Sequence, residues 1–365
     1  MSSEFDIAIV GAGMAGASLA AEVGAGARVI VLEGEDVPGY HATGRSAAFW
    51  EECYGGPEIV PLTLASGEFL HEHGFLRDRG ALYLARARDD AKIDTFISAF
   101  KDTGAQFERI DRAVLERIVP GLRQDWDRAI WQRRCADIDV AALHAHYLAR
   151  AKSSGAELAC RARVVRIARH AGRWRILLAD GREFSAATLV NAAGAWADEI
   201  AQMAGAKPVG ITPFRRTVVQ LRVDPLPPAD LPLCLDISGT FYFKPESARL
   251  WLSPHDETPS LPVDAAPDEL DVALAIARLE EATEWRVQAV ERKWAGLRSF
   301  APDRLPVYGR DTACPDFFWF AGQGGYGIQT APAAARLGAQ QLLGLPVDRM
   351  TCRLQAEAYS PARFG

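Results

Sequence analysis

The sequence predicts an α/β protein in two parts: a doubly wound α/β domain assembled from separated pieces, and a smaller α+β domain built on an antiparallel sheet. Three observations predict it. Strand-like runs alternate with helical runs at both ends of the chain, as in βαβ units. Between them, residues 212–265 carry Pro213, Pro225, Pro227, Pro228, Pro232, Pro245, Pro254, Pro259 and Pro262, interleaved with β-type runs. Such a stretch suits an antiparallel sheet and not another parallel crossover. Finally, a glycine-rich turn separates strand from helix near each terminus, at Gly11 to Gly16 and at Gly322 to Gly327.

The elements follow in order. Phe5 to Val10 reads as a buried strand, Met14 to Val23 as an alanine-rich helix, and Arg28 to Glu33 as a second strand. Val37 to Phe49 is loop-like, and Pro57 to Glu72 has helical character. Gly80 to Arg86 is a strand; Asp89 to Thr103 is a helix stopped by Gly104. Asp139 is placed to cap a helix from Val140 to Ser153 that ends at Gly155. Val164 to Ala168, Trp174 to Leu178 and Thr188 to Val190 are strands, with Asp180-Gly181 as a hairpin turn. Thr217 to Val223, Thr240 to Phe243 and Arg249 to Leu252 form the antiparallel set, followed by a helix from Glu269 to Thr283. Phe317 to Phe320 is a strand and Thr330 to Leu343 a helix. The nucleotide-type domain is therefore drawn as 1–80, 138–211 and 294–365, and the smaller domain as 81–137 and 212–293.

Composition narrows the function. The 365 residues are 49% hydrophobic, enough for a large core. With 41 basic and 47 acidic side chains the net charge is −6, so nothing favours a nucleic-acid partner. No run of about 18 apolar residues is present, so no membrane span is expected. The six cysteines show no CxxC pair and read as reduced thiols of a cytoplasmic protein.

Gly11-Ala-Gly13-Met14-Ala15-Gly16 fits GxGxxG in the right context, after a strand and opening a helix. Its glycines permit a tight turn, a close approach to a pyrophosphate and close helix–sheet packing, and the helix N-terminus favours an anion. Glu33, twenty positions after Gly13, can accept hydrogen bonds from a ribose diol and would repel a 2′-phosphate. This is a Rossmann-type dinucleotide site. The turn alone does not separate FAD from NAD.

Four further segments do so by resemblance. Gly39-Tyr-His-Ala-Thr-Gly-Arg-Ser-Ala-Ala48, Asn191-Ala-Ala-Gly-Ala-Trp196, Trp294-Ala-Gly-Leu-Arg-Ser-Phe300 and Gly322-Gln-Gly-Gly-Tyr-Gly-Ile-Gln-Thr330 resemble, in order, segments of the D-amino-acid oxidase superfamily of FAD-dependent oxidoreductases. Asp137-Ile-Asp139, Phe241-Tyr-Phe-Lys-Pro245 and Glu280-Glu-Ala-Thr283 resemble its D-arginine and D-amino-acid dehydrogenase branch. The resemblance implies noncovalent FAD, contacted by Gly11, Gly13, Met14, Ala15, Gly16, Glu33 and Gly34, and by His41, Thr43, Gly44, Arg45, Ser46 and Ala48. It adds Val164, Ala193, Gly194 and Trp196, and then Gly324, Gly325, Tyr326, Gly327, Ile328 and Gln329. The amides of the last group, at a helix start, would face the flavin ring that becomes anionic on reduction. For Arg45 the alternative is a surface salt bridge, and for Val164 a plain buried valine.

The resemblance also implies a carboxylate-bearing substrate. Arg298 would anchor the carboxylate with its planar fork, with Tyr242 and Tyr54 beside it. Phe49, Trp50, Glu51, Arg215, Gly325 and Gln329 would line the substrate pocket, with Arg216 as the alternative to Arg215. Phe49 and Ala81 stand where that branch carries a histidine and an acid, which favours an uncharged substrate side chain. Glu51 or Glu52 could reach the pocket from the same loop and would then suit a cationic side chain; the alternative for both, and the one favoured, is exposure to solvent. The implied activity is oxidation of a D-amino acid to an imino acid, which water converts to a 2-oxo acid and ammonia. An N-methyl or cyclic amino acid, or a 2-hydroxy acid, would use the same anchor. An NAD-dependent dehydrogenase and a non-catalytic flavin-binding subunit are the rival classes. The electron acceptor (quinone, carrier protein or oxygen) is left open, as is the choice between a monomer and a small homo-oligomer.

Overall fold

The computed structural model describes residues 3–365. One sheet holds parallel strands in the spatial order Glu157–Ala159, Val29–Leu32, Ser3–Val10, Glu183–Asn191 and Phe317–Ala321. The last strand comes from the far end of the chain, so the nucleotide-type domain is discontinuous. Both faces of this sheet are buried, which explains its near-continuous apolar runs. Along Phe317–Ala321, Phe318 and Phe320 enter one core cluster, while Phe317, Trp319 and Ala321 enter the other. The first cluster includes Leu19 of helix Met14–Val23, Leu143 and Tyr147 of helix Val140–Ser153, and Leu337 of helix Ala331–Leu343.

The second sheet has ten strands. Its backbone is the long antiparallel pair Thr212–Asp224 and Arg286–Phe300. Val219, Leu221 and Val223 point into a core covered by helix Glu269–Ala282, through Val272, Ala275 and Leu279. Residues of opposite parity, Arg216 and Val218, face the other way and line a cavity. The strand Gln323–Gly324 is added at the sheet edge, with Ser299 opposite Gly324 and Phe300 opposite Gln323. A small third sheet joins Phe49–Trp50, Ala136–Ile138 and Leu76–Asp78. No helix among the described residues is long and apolar enough to cross a membrane, and all six cysteines are unpaired.

Several elements differ from their sequence-predicted bounds. The predicted exit from the antiparallel domain at 294 falls inside Arg286–Phe300, one uninterrupted strand of the ten-stranded sheet. Gly296 favours a break there on local grounds; the partner strand supplies a hydrogen-bond ladder that overrides it. The helix predicted from Pro57 begins at Val60, and the one predicted over Asp89 to Thr103 spans Asp90–Phe100. The helix predicted from Thr330 begins at Ala331, so Gly325 to Gly327 form a turn ahead of it.

Asp139 caps its helix as predicted: its carboxylate accepts the Ala142 N–H at 2.9 Å. Asp139→Ala should cost about 1 kcal/mol of stability, read by urea unfolding of the FAD-loaded protein.

Candidate functional site: a cavity between the glycine turns and an arginine

The cavity runs from Glu33 and the Gly11–Ala15 turn, past Trp196, to Arg298 and Gly327. Its empty space, counted to the open mouth and so including open solvent, is about 1330 Å³.

At the first turn, the glycines are required by close contacts. A Cβ on Gly11 would lie 2.4 Å from the Ala192 carbonyl oxygen, and Gly11 has φ +102°. A Cβ on Gly16 would lie 1.9 Å from the Gly11 oxygen, so Gly16 holds the helix against the turn and does not line the cavity. Side chains fix the turn from outside. Glu33 accepts the Ala12 N–H at 2.9 Å and the Glu35 N–H at 3.0 Å. Thr43 Oγ1 accepts the Met14 N–H at 2.9 Å. His144, which the sequence did not flag, donates to the Ala12 oxygen at 2.9 Å; burial lowers its pKa, so the neutral ring makes this bond. Glu33 also lines the cavity, with a buried carboxylate suited to a ribose diol.

The middle of the cavity is walled by His41, Thr43, Arg45, Ser46, Ala193, Gly194 and Trp196, all foreseen. His41 stacks obliquely on Trp196 at 4.7 Å and bonds Glu35 at 2.9 Å. Arg45 lines the cavity but also makes the salt bridge named as its alternative, with Asp264 at 2.5 Å. It donates as well to the Ala265 and Ala295 carbonyls. No cysteine lines the cavity. The glycine cradle, the Glu33 carboxylate and one continuous lining from that turn to Arg298 fit FAD.

At the far end stand Arg298 and Tyr242, both foreseen. Arg298 donates to the Tyr54 hydroxyl, its one hydrogen bond among the described residues. Desolvation opposes its charge, but Tyr54, Tyr242 and Glu257 outweigh this and raise its pKa, so it stays a cation. Tyr54 is not itself a lining residue; its hydroxyl meets Arg298 beside Gly325, which does line the cavity. Phe49 also lies off the lining. It packs edge-on to Tyr54 at 5.2 Å and to Tyr242 at 6.1 Å, within an apolar cluster with Ala81, Cys135, Leu233 and Leu235. Ala81 is fully buried in that cluster.

The structure corrects several assignments. Arg215 points away and pairs with Asp271 at 2.7 Å and Asp256 at 3.4 Å. Its neighbour Arg216 faces the cavity, because parity on the strand puts it on the side of Val218. Burial, and then Arg298, push the Arg216 pKa down; its Nη1 is buried and, among the described residues, unpaired, while Nη2 reaches Glu257 at 3.1 Å. Sequence alone left Arg215 and Arg216 equivalent, since only the register against Gly296 and Arg298 decides which one turns inward. His255 is a further missed neighbour: burial, Arg216 and Arg298 push its pKa down to about 2, so it is neutral.

Trp50 is not in the pocket; its Nε1 donates to the Thr63 carbonyl at 3.0 Å and its ring packs on Gly67. Gln329 and Tyr326 are buried outside the cavity lining, as is Val164. Gly34, Gly44 and Ala48 also lie off the lining. Gly324, Gly325, Gly327 and Ile328 do line it, joined by the unforeseen Gln323, but they form a strand and turn and not the helix start expected. Glu51 and Glu52 are not in solvent: both are fully buried. Glu51 accepts from Tyr83 Oη at 2.7 Å and Cys53 N at 3.2 Å, and Glu52 pairs with Arg134 at 3.0 Å.

Over residues 6–341 the sequence matches the model of the DAO family, described as FAD dependent oxidoreductase. The chain belongs to this family. It is an FAD-dependent oxidoreductase, and its cofactor is FAD. Among solved structures it is similar to L-proline dehydrogenase from P. horikoshii, with TM-score 0.85, 22% identity, and 100% and 98% of the two chains covered. It is also similar to glycine oxidase from Geobacillus kaustophilus, with TM-score 0.83, 21% identity and 99% of each chain covered. Among curated proteins, hydrogen cyanide synthase subunit HcnC of Pseudomonas aeruginosa is 24% identical over 306 residues, which is 81% of this chain and 70% of that relative. These likenesses establish the shared fold; the D-amino-acid branch named from sequence is not among them.

Burial of Glu51, helped by Glu52, pushes its pKa up to about 7 against the bonds from Tyr83 and Cys53. An acid raised on folding holds its proton more tightly when folded. Its penalty is therefore absent below the unfolded value of 4.5, grows as pH rises from there to about 7, and is constant above. Glu51→Gln should be the more stable protein at pH 8, by up to about 3 kcal/mol, and near neutral in effect at pH 4.5. Thermal melts of both proteins at the two pH values check this.

Proposed function

We propose that the chain oxidises an amino acid at the carbon that bears its nitrogen, with the substrate carboxylate held by Arg298. One observation carries the proposal: a half-buried guanidinium that lines the end of the cavity, hydrogen-bonded only to a tyrosine hydroxyl and, among the described residues, paired with no acid. A cation open to the cavity with so few partners is completed by a bound anion. Arg298 supplies a planar fork for a carboxylate. Tyr54 accepts from Arg298, which leaves its own hydroxyl proton free to donate to the same carboxylate. Arg216 adds a second positive charge beside them.

When bound, FAD supplies the acceptor for the two electrons that leave as hydride from the substrate Cα. The protein's task is to orient that C–H bond, which the anchor does by fixing the carboxylate bonded to the same carbon. The imino acid product then takes up water and releases ammonia and a 2-oxo acid. The apolar cluster of Phe49, Ala81, Leu233 and Leu235 packs with Tyr242 outside the cavity lining and backs the wall that Tyr242 presents. The uncharged side chain and the D series rest on the family resemblance read from the sequence. Cyclic and N-substituted amino acids are the second reading. Arg298 would serve them equally, and the proline dehydrogenase likeness keeps proline in the test set.

The test is anaerobic bleaching of the flavin by a panel of D- and L-amino acids, glycine, proline, N-methyl amino acids and 2-hydroxy acids. A neutral D-amino acid should bleach it fastest; no bleaching by any amino acid would sink the proposal. Arg298→Met should raise KM about 100-fold while the purified protein keeps its FAD absorbance. Unchanged KM would remove Arg298 as the anchor.

A further inference from the structure

We infer that Gln329 is a positioning residue for the carboxylate anchor, acting through Tyr54. The inference rests on Arg298 and Tyr54 holding the substrate carboxylate, as proposed above.

Gln329 comes from the far end of the chain, just after the turn that lines the cavity, yet its side chain turns away from the cavity. It is 2% exposed. Its Oε1 accepts the Glu51 N–H at 3.2 Å. Its Nε2 donates to the Glu51 oxygen at 3.3 Å, the Tyr54 oxygen at 3.3 Å and Thr63 Oγ1 at 2.9 Å. The side-chain amide thus pairs with the Glu51 backbone as a neighbouring strand would, and reaches on to Tyr54.

The loop it grips is irregular, and apart from Gln329 its backbone is ordered by a turn bond from the Tyr54 N–H to the Glu51 oxygen at 3.2 Å and by the Cys53 N–H to the Glu51 carboxylate at 3.2 Å. Strand Phe49–Trp50 ends before it, and Glu51 to Tyr54 lie in no strand or helix. Gly55 and Gly56 follow with φ +102° and +96°, conformations that glycine enters freely. The Tyr54 hydroxyl nevertheless has to meet a narrow target. It touches Arg298, and both groups crowd the far turn: a Cβ on Gly325 would sit 2.7 Å from Arg298 Nη1 and 2.9 Å from Tyr54 Oη. Gln329 therefore ties the loop that carries Tyr54 to the turn that bounds Arg298. A small error in that tie moves the hydroxyl off the guanidinium, since hydrogen bonds weaken steeply with misalignment.

The test is a double-mutant cycle on the FAD-loaded protein. Benzoate, a carboxylate that cannot be oxidised at a Cα, is the probe, and its Kd is read from the change in flavin absorbance. Gln329→Met should weaken benzoate about tenfold, raise KM by a similar factor and leave kcat nearly unchanged. In a Tyr54→Phe background the same substitution should add less than about twofold, because the group it positions is gone. Thr63→Val removes one acceptor of the Gln329 amide and should weaken benzoate less, while Thr63→Ser should restore it; this pair carries the test if Gln329→Met does not fold. Benzoate binding within about twofold of the parent in Gln329→Met, or in Thr63→Val where that is the variant used, overturns the inference. Equal weakening with and without the Tyr54 hydroxyl also overturns it. Arg298→Met separates the two levels. If it leaves benzoate affinity unchanged, the anchor itself is wrong and this inference falls with it. If it abolishes binding while Gln329→Met does not weaken it, the anchor stands and only the role of Gln329 is lost.

Discussion

The antiparallel ladder between Thr212–Asp224 and Arg286–Phe300, extended by Gln323–Gly324, is the constraint on which the site depends. Its register places Arg298 two residues beyond Gly296, the residue opposite Arg216, so both guanidinium groups share a face. Its last two rungs bring the C-terminal glycine turn alongside Ser299 and Phe300. A slip of one residue would turn Arg298 into the core of Val219 and Leu221 and expose that core to the cavity. The burial of one face against helix Glu269–Ala282 makes such a slip costly, so the packing of the smaller domain also aims the anchor.

A second layer of polar contacts keeps the walls in place. Asp137 accepts from Arg79 at 2.5 Å and from Lys244 at 2.6 Å, linking the small third sheet to the strand that presents Tyr242. Those two cations hold its carboxyl below the usual range despite burial. His144 and Thr43 fix the first glycine turn in the same manner, through its carbonyl and amide groups. The cavity end is otherwise rich in positive charge, with a neutral His255 beside it. Its electrostatics suit an anionic substrate group.

Much of this was legible in the chain. Helices Met14–Val23 and Val140–Ser153 have the bounds read from sequence, because a glycine turn and an aspartate cap mark their starts in local chemistry. Residues Gly11, Glu33, Thr43, Arg45, Gly194, Tyr242 and Arg298 do meet around one cavity. Other residues were misplaced for a common reason. Trp50, Glu51 and Gln329 sit close in sequence to residues of the site, but side-chain direction in loops and turns does not follow from adjacency. Glu51 reads as a surface acid until Tyr83 and Cys53 are seen to enclose it.

The sequence by itself determined the dinucleotide turn, its acid, the α/β and antiparallel segments, and the presence of an arginine suited to a carboxylate. These depend on local rules: positive φ at glycine, strand period, helix caps and side-chain chemistry. The tertiary structure alone decided that Arg216 faces inward while Arg215 does not, that residue 294 lies inside a strand, and that Gln329 grips Glu51 and Tyr54 from 275 or more positions away. Each of these depends on register or burial between distant segments, and those are set by packing and not by any one stretch of chain.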